Sequence, residues 1–142
     1  MNQQDYKNHK QVVYSYYLLT GVPIVILIIL AIIQIFNGDR VALEYGIILL
    51  LIGWILLTML FRSRGFALKA QDRAIRAEEN LRHFALIGKL PDHRLTLKQI
   101  IALRFASDEE LPALSQRAVS ENLGADSIKK EIKNWRADFY RV

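Results

Sequence analysis

Two apolar stretches dominate the first half of the chain. Residues 18–36 carry no charged side chain, and residues 41–61 carry only Glu44. At about 1.5 Å of rise per residue, either stretch can cross about 30 Å of hydrocarbon. Residues 12–36 and 41–61 are therefore predicted transmembrane helices. Between them, Asn37-Gly38-Asp39-Arg40 predicts a tight external turn in which Asn-Gly takes positive φ values. So short a turn makes the two spans antiparallel neighbours.

After Gly65 the pattern changes. Ala67, Ala70, Ala74, Ala77, Leu81, Phe84 and Gly88 step by three and four along one helical seam, with polar residues elsewhere. Residues 62–88 thus read as a charged stalk that continues the second span and packs through its small-residue seam, either on the chain's own later helices or as a short coiled coil. Asp72 with Arg76 and Glu78 with Arg82 are expected i, i+4 pairs.

Residues 89–142 predict three short helices. Thr96 and Gln99 form a capping box ahead of Leu97, Ile100, Ile101, Leu103 and Phe105. Ser107 and Glu110 form a second box, ahead of a helix that holds Pro112 as a distortion and stops at Gly124. Asp126 is the expected cap of a last helix whose Ile128, Ile132, Trp135 and Phe139 repeat at four, three and four residues. Trp135 is the expected core anchor of that helix. The predicted fold class is all-α, a two-helix transmembrane hairpin followed by a small cytoplasmic helical bundle.

Charge orients this arrangement. The chain of 142 residues has a formal net charge of +5, and the whole excess follows the second span. Lys7 and Lys10 precede the first span and Arg62, Arg64, Lys69, Arg73 and Arg76 follow the second, whereas Arg40 is alone in the turn. The positive-inside rule then places residues 1–11 and the tail after the second span in the cytoplasm, and residues 37–40 outside. Tyr14, Tyr16 and Tyr17 suit the headgroup layer. The polar residues of the spans, Glu44 and Gln34, form a predicted interfacial cluster with Arg40 rather than an ion site. Pro23 is expected to bend the first span, with Thr20 bonding a freed carbonyl. Gly46 and Gly53 line a stripe for close helix approach, and Trp54 fills space against a neighbour.

Little in the sequence points to chemistry. With no cysteine there is no thiolate ligand or nucleophile. No phosphate loop, H-E-x-x-H, G-x-S-x-G or dinucleotide glycine pattern occurs. Glu79 and His83 stand four apart, too few ligands for a metal. No catalytic, cofactor-binding or metal residue is assigned, no cofactor is expected, and an enzyme is the least supported class. The candidate interaction surface is the basic row Lys129, Lys130, Lys133 and Arg136; the candidate helix-packing residues are Gly46, Gly53, Ala67, Ala70, Ala74, Ala77 and Trp135.

The segments LTLKQIIALRFASDEE (residues 95–110) and IKNWRADFYRV (residues 132–142) resemble those of a family of small, functionally uncharacterised bacterial membrane proteins. The resemblance covers the chain and implies a bacterial cytoplasmic membrane, two spans and a helical tail, and no activity. The expected function is a membrane-anchored interaction or scaffold protein whose partners are membrane lipid and either a second copy or a cytoplasmic protein. One alternative is a membrane-tethered nucleic-acid-binding module with a basic last helix. Glu131 and Asp138 interrupt its basic face, so nucleic acid is the weaker partner. Another is an accessory subunit of an oligomeric channel or transporter, resting on Pro23, Glu44 and the glycines.

Overall fold

The computed structural model describes residues 4–9 and 13–139. Among these, the chain forms five α-helices and no β-strand: α1 (Tyr14–Asn37), α2 (Arg40–Ile87), α3 (Leu97–Leu103), α4 (Leu111–Ser120) and α5 (Ala125–Glu131). It divides into two units, Val12–Ala67, and Met1–Gln11 with Leu68–Val142. Lys10, one of the two basic residues ahead of the first span, lies outside the described residues.

In the first unit, α1 and the apolar part of α2 are each long and apolar enough to cross a membrane. Only Gly38 and Asp39 separate them. Gly38 has φ −100° and ψ 170°, so the turn uses extended backbone and not the positive φ that Asn-Gly suggested. Its requirement is space: a Cβ there would collide with that of Ala42 and lie 2.8 Å from the Gln34 carbonyl oxygen. Asp39 then starts α2, its carboxylate accepting the Ala42 N–H at 2.9 Å.

Close approach along the hairpin is set by two glycines. A Cβ on Gly46 would lie 2.6 Å from Ile35 Cγ1 and 3.0 Å from the Ala31 carbonyl oxygen, and one on Gly53 would lie 2.7 Å from Ile28 Cγ1. Ala31 is fully buried in this contact. At the other end of the hairpin the Tyr16 hydroxyl donates to the Leu60 carbonyl at 2.8 Å and meets Ser63 Oγ at 2.7 Å. Thr20 bonds the Tyr16 carbonyl, one turn earlier than the Leu19 carbonyl that Pro23 leaves without its usual donor. Arg40 and Glu44 pair at 3.8 Å, but both are exposed, as is Gln34. Trp54 is 65% exposed, so nothing in the hairpin covers its ring.

In the second unit, the stalk part of α2 ends at Gly88, whose φ of +70° reverses the chain. Helix α3 begins with a complete capping box: the Thr96 N–H donates to Gln99 Oε1 at 2.8 Å, and the Gln99 N–H donates to Thr96 Oγ1. The Gln99 amide also donates to the Ala118 and Leu123 carbonyls, which ties the start of α3 to the end of α4. A core of Leu95, Ile100, Leu103, Phe105, Leu111, Leu114, Ala118, Ile128 and Ile132 fills the space between α3, α4 and α5.

Around α4 the structure differs from the sequence expectation in three places. The second capping box is half-formed: Ser107 Oγ accepts the Glu110 N–H, but the Glu110 carboxylate turns away to the backbone of Lys133 and Asn134. Helix α4 therefore starts late, at Leu111. Pro112 falls in its first turn, where a missing N–H costs nothing, and so does not distort it. The stop of α4 is Asn122, with φ 49°, and not Gly124. The N–H of Leu123 bonds the Ala118 carbonyl and that of Asn122 bonds the Val119 carbonyl, a Schellman closure with Asn in the left-handed position.

The largest departure is the last helix. Helix α5 ends at Glu131, with Gly124 rather than Asp126 at its N-cap. Residues 132–139 run on as non-helical chain beside the α3–α4 connection. Trp135 bridges antiparallel to Ala106, the Ser107 N–H donates to the Asn134 carbonyl at 3.1 Å and the Arg136 N–H donates to the Phe105 carbonyl at 2.8 Å. These bonds, with the Glu110 carboxylate accepting from the Lys133 and Asn134 N–H groups, satisfy a backbone that a helix would have satisfied internally.

Candidate interaction surface

The stalk has two dissimilar faces. Ile75, Glu79 and His83 are buried and Arg82 is mostly so, which makes this the face that α3 and α4 cover. Arg82 is its hub. The guanidinium donates to Glu79 Oε2 at 3.0 Å, to Asp108 Oδ1 at 2.7 Å and to the Ala106 carbonyl at 2.8 Å. Glu79 also faces Arg136 at 3.5 Å. Each buried charge is thus opposed by another and hydrogen-bonded, the condition for holding ions out of water. The expected Glu78–Arg82 pair is replaced by this cluster, because by turning inward Arg82 gains Asp108 and the Ala106 carbonyl as well as Glu79. Asp72 and Arg76 form no ion pair among the described residues.

His83 completes the buried face. Its Nδ1 donates to the Lys89 carbonyl at 2.8 Å, and its Nε2 lies 3.4 Å from Ser115 Oγ. The Ser115 hydroxyl itself donates to the Pro112 carbonyl at 2.8 Å. Beside them His83, Lys89, Arg94, Ser115 and Ser120 line an open cleft, in which Arg94 is engaged by Asp92 at 2.7 Å. That guanidinium holds the Asp92 carboxyl well below the usual carboxylate range. Among the described residues no group of three His, Cys, Asp or Glu side chains is placed to hold a metal ion. Glu79 and His83 are each committed to other partners.

On the opposite face of the stalk lie Ala70, Ala74, Ala77, Leu81 and Phe84, and all are exposed. At about 100° per residue, this row is half a turn from Ile75, Glu79 and Arg82. The predicted packing seam is therefore not the face on which the chain's own helices pack. Leu81 is 69% exposed and Phe84 51%. Ala67, at the head of the seam, is half-buried. Periodicity identified the row correctly as one face, but the choice of covered face fell to the polar one. Arg82 and Glu79 reach partners in the α3–α4 connection and at Arg136 that alanines cannot.

The basic row is dispersed rather than brought together. Lys129 and Lys130 are on α5, while Lys133 and Arg136 lie beyond its end. Lys129 Nζ is 3.2 Å from His9 Nε2, Lys130 pairs with Asp126 at 3.1 Å, and Arg136 faces Glu79. A recognition helix carrying all four is not present, because the helix ends before the third.

Sequence reasoning also missed the strap formed by residues 4–9. The Tyr6 hydroxyl donates to Asp126 at 2.8 Å, Gln4 Oε1 accepts the Asp138 N–H at 2.8 Å, and the His9 ring lies 5.9 Å from that of Trp135 and 6.0 Å from that of Phe105. The hydrogen bond from Tyr6, and then Lys130, lower the Asp126 pKa, and Asp126 in turn raises that of Tyr6. Trp135 is half-buried against the core, 5.1 Å from Phe105, and Phe139 is 58% exposed.

A family model matches the chain from residue 1 to residue 142. The chain belongs to DUF6526, a family of unknown function. No curated protein and no solved structure matches it. Membership of DUF6526 attaches no activity to any of the residues above, so the functional reading rests on their geometry.

Proposed function

We propose that this chain is a membrane-anchored helical interaction module without catalytic activity of its own, resident in a bacterial cytoplasmic membrane. One observation carries the reading: the stalk turns a continuous apolar row, Ala70 to Phe84, away from the unit it supports. A water-exposed row of this kind on a folded protein is a surface for a partner. Its anchor is the pair of apolar helices α1 and α2. The strap supports the topology, because residues 4–9 share one folded unit with residues 125–138 and so belong on one side of the membrane. The surplus of Lys and Arg in the flanking segments makes that side the cytoplasm.

Two measurements test this. The chain has no cysteine. In intact cells, a cysteine introduced by Asp39→Cys reacts with an impermeant thiol reagent, whereas one introduced by Asn134→Cys does not; the reverse pattern overturns the topology. A photo-crosslinking side chain at Leu81 captures a defined species in native membranes, whereas one at the exposed Lys98 does not. Equal labelling at the two sites would remove the row as an interaction surface.

A further inference from the structure

The open row of the stalk is narrow, and its width identifies what fits it. Ala70, Ala77 and Phe84 are seven apart, as are Ala74 and Leu81, so the row has strict a and d positions of a heptad, with Ala74 and Leu81 at a and Ala70, Ala77 and Phe84 at d. A two-position seam is the width of one facing helix, narrower than the face a helix turns to a globular core. Charged residues border it: Arg73 stands at g on one side, Glu78 at e on the other, and both are exposed. Neither forms an ion pair among the described residues.

These two residues select direction. In a parallel pair of helices a g residue faces the e residue five positions on in the partner. Arg73 and Glu78 are five apart, so two parallel copies oppose them twice, once on each side of the seam. In an antiparallel pair g faces g and e faces e. Arg73 would then meet Arg73, Asn80 or Ile87, and Glu78 would meet Gln71, Glu78 or Ala85, with no opposite charge in either set. Only the parallel arrangement uses the charges. Two copies anchored in one membrane by the same spans also point the same way and stand at the same height, which sets the register without further contacts. In register, the alanine layers meet alanine layers, and Leu81 and Phe84 meet their own counterparts.

We propose that the open face of the stalk binds the same face of a second copy, parallel and in register, with Arg73 of each copy against Glu78 of the other. This rests on the interaction reading above and names its partner.

Cysteine crosslinking of the full chain in native membranes tests it. Ala70→Cys and Phe84→Cys are both d positions, about 21 Å apart along the helix. A parallel, in-register pair gives a homotypic disulfide dimer at each site upon mild oxidation. Arg76→Cys, exposed but off the seam, gives none. Dimer at only one d position, or at Arg76 as readily as at the seam, overturns the arrangement. The charge reversal Arg73→Glu lowers the dimer yield roughly threefold, as does Glu78→Arg, and the two together restore it. Failure of the double reversal to restore the yield overturns the ion pairing. If the seam cysteines yield no homodimer, a photo-crosslinker at Leu81 separates the remaining cases. A heterologous adduct refutes self-association and leaves the interaction reading standing, whereas the absence of any adduct refutes both.

Discussion

The two faces of the stalk reverse the usual relation between polarity and burial. One face carries Glu79, Arg82 and His83 and is buried; the other carries Ala70, Ala74, Ala77, Leu81 and Phe84 and is exposed. Apolar area alone would favour the opposite arrangement. The polar face is covered because its groups bind specific backbone and side-chain partners, among them the Ala106 carbonyl, Asp108 and Arg136, so desolvation is offset by charge-assisted hydrogen bonds. The alanine row offers no comparable contact to a short three-helix unit, but it does offer close backbone approach to another long helix. Burial within one copy therefore marks where the chain folds on itself, and the exposed row is the face proposed above to meet a second copy.

The strongest way to break this comparison is to remove the hub. Arg82→Ala leaves Glu79 buried with only Arg136 nearby and strips the Ala106 carbonyl of its donor, and should destabilise the second unit by about 3 to 5 kcal/mol. The measurement is thermal unfolding of the full chain in detergent, followed by Trp135 fluorescence in a Trp54→Phe background. A loss below about 1 kcal/mol would show that the polar cluster does not hold the stalk.

A paired substitution compares the faces directly. Ile75, on the covered face, is 6% exposed, and Leu81, on the open one, is 69% exposed. Ile75→Ala should cost about 2 to 4 kcal/mol by the same melt, because it leaves a cavity. Leu81→Ala should change the stability of the unit by less than about 0.5 kcal/mol while lowering crosslinked dimer. Equal losses would mean that the two faces are not distinct.

Trp135 gives a smaller effect than a wholly buried ring. It is half-buried against Phe105, so Trp135→Ala should cost about 2 to 3 kcal/mol, less than the roughly 3 to 5 of a full core aromatic. The same variant should make residues 4–9 more open to proteolysis, since His9 packs on that ring.

The smallest expected effect is the pH response of the strap. The Asp126 pKa is lowered by the Tyr6 hydrogen bond, so this contact favours the folded strap above the ordinary carboxyl value of about 4 and weakens as the pH falls through it. The Tyr6 pKa is raised, so the contact is also lost as the pH rises past about 10. Protease protection of residues 4–9 should be highest between those limits and should lose most of its acid dependence in Tyr6→Phe. Unchanged acid dependence would assign the effect elsewhere.

Several elements were legible in the sequence because their causes are local. Apolar stretches of about twenty residues, a short reversal between them, the Gly88 stop and the Thr96–Gln99 capping box each depend on residues within a few positions of one another. The heptad row of the stalk was legible too, since its period requires no partner. What only the tertiary structure decided is which face of the stalk is covered, where the last helix ends and where residues 4–9 go. Each depends on groups far apart in sequence: Arg82 with Asp108, Glu110 with the Lys133 and Asn134 backbone, Tyr6 with Asp126. Ile132, Trp135 and Phe139 kept a helical spacing without forming a helix, because the Phe105 to Ser107 backbone and the Glu110 carboxylate offered their segment hydrogen bonds from outside it. Periodicity records which residues share a face. The partner of that face is set by long-range charge and backbone complementarity, which no local pattern encodes.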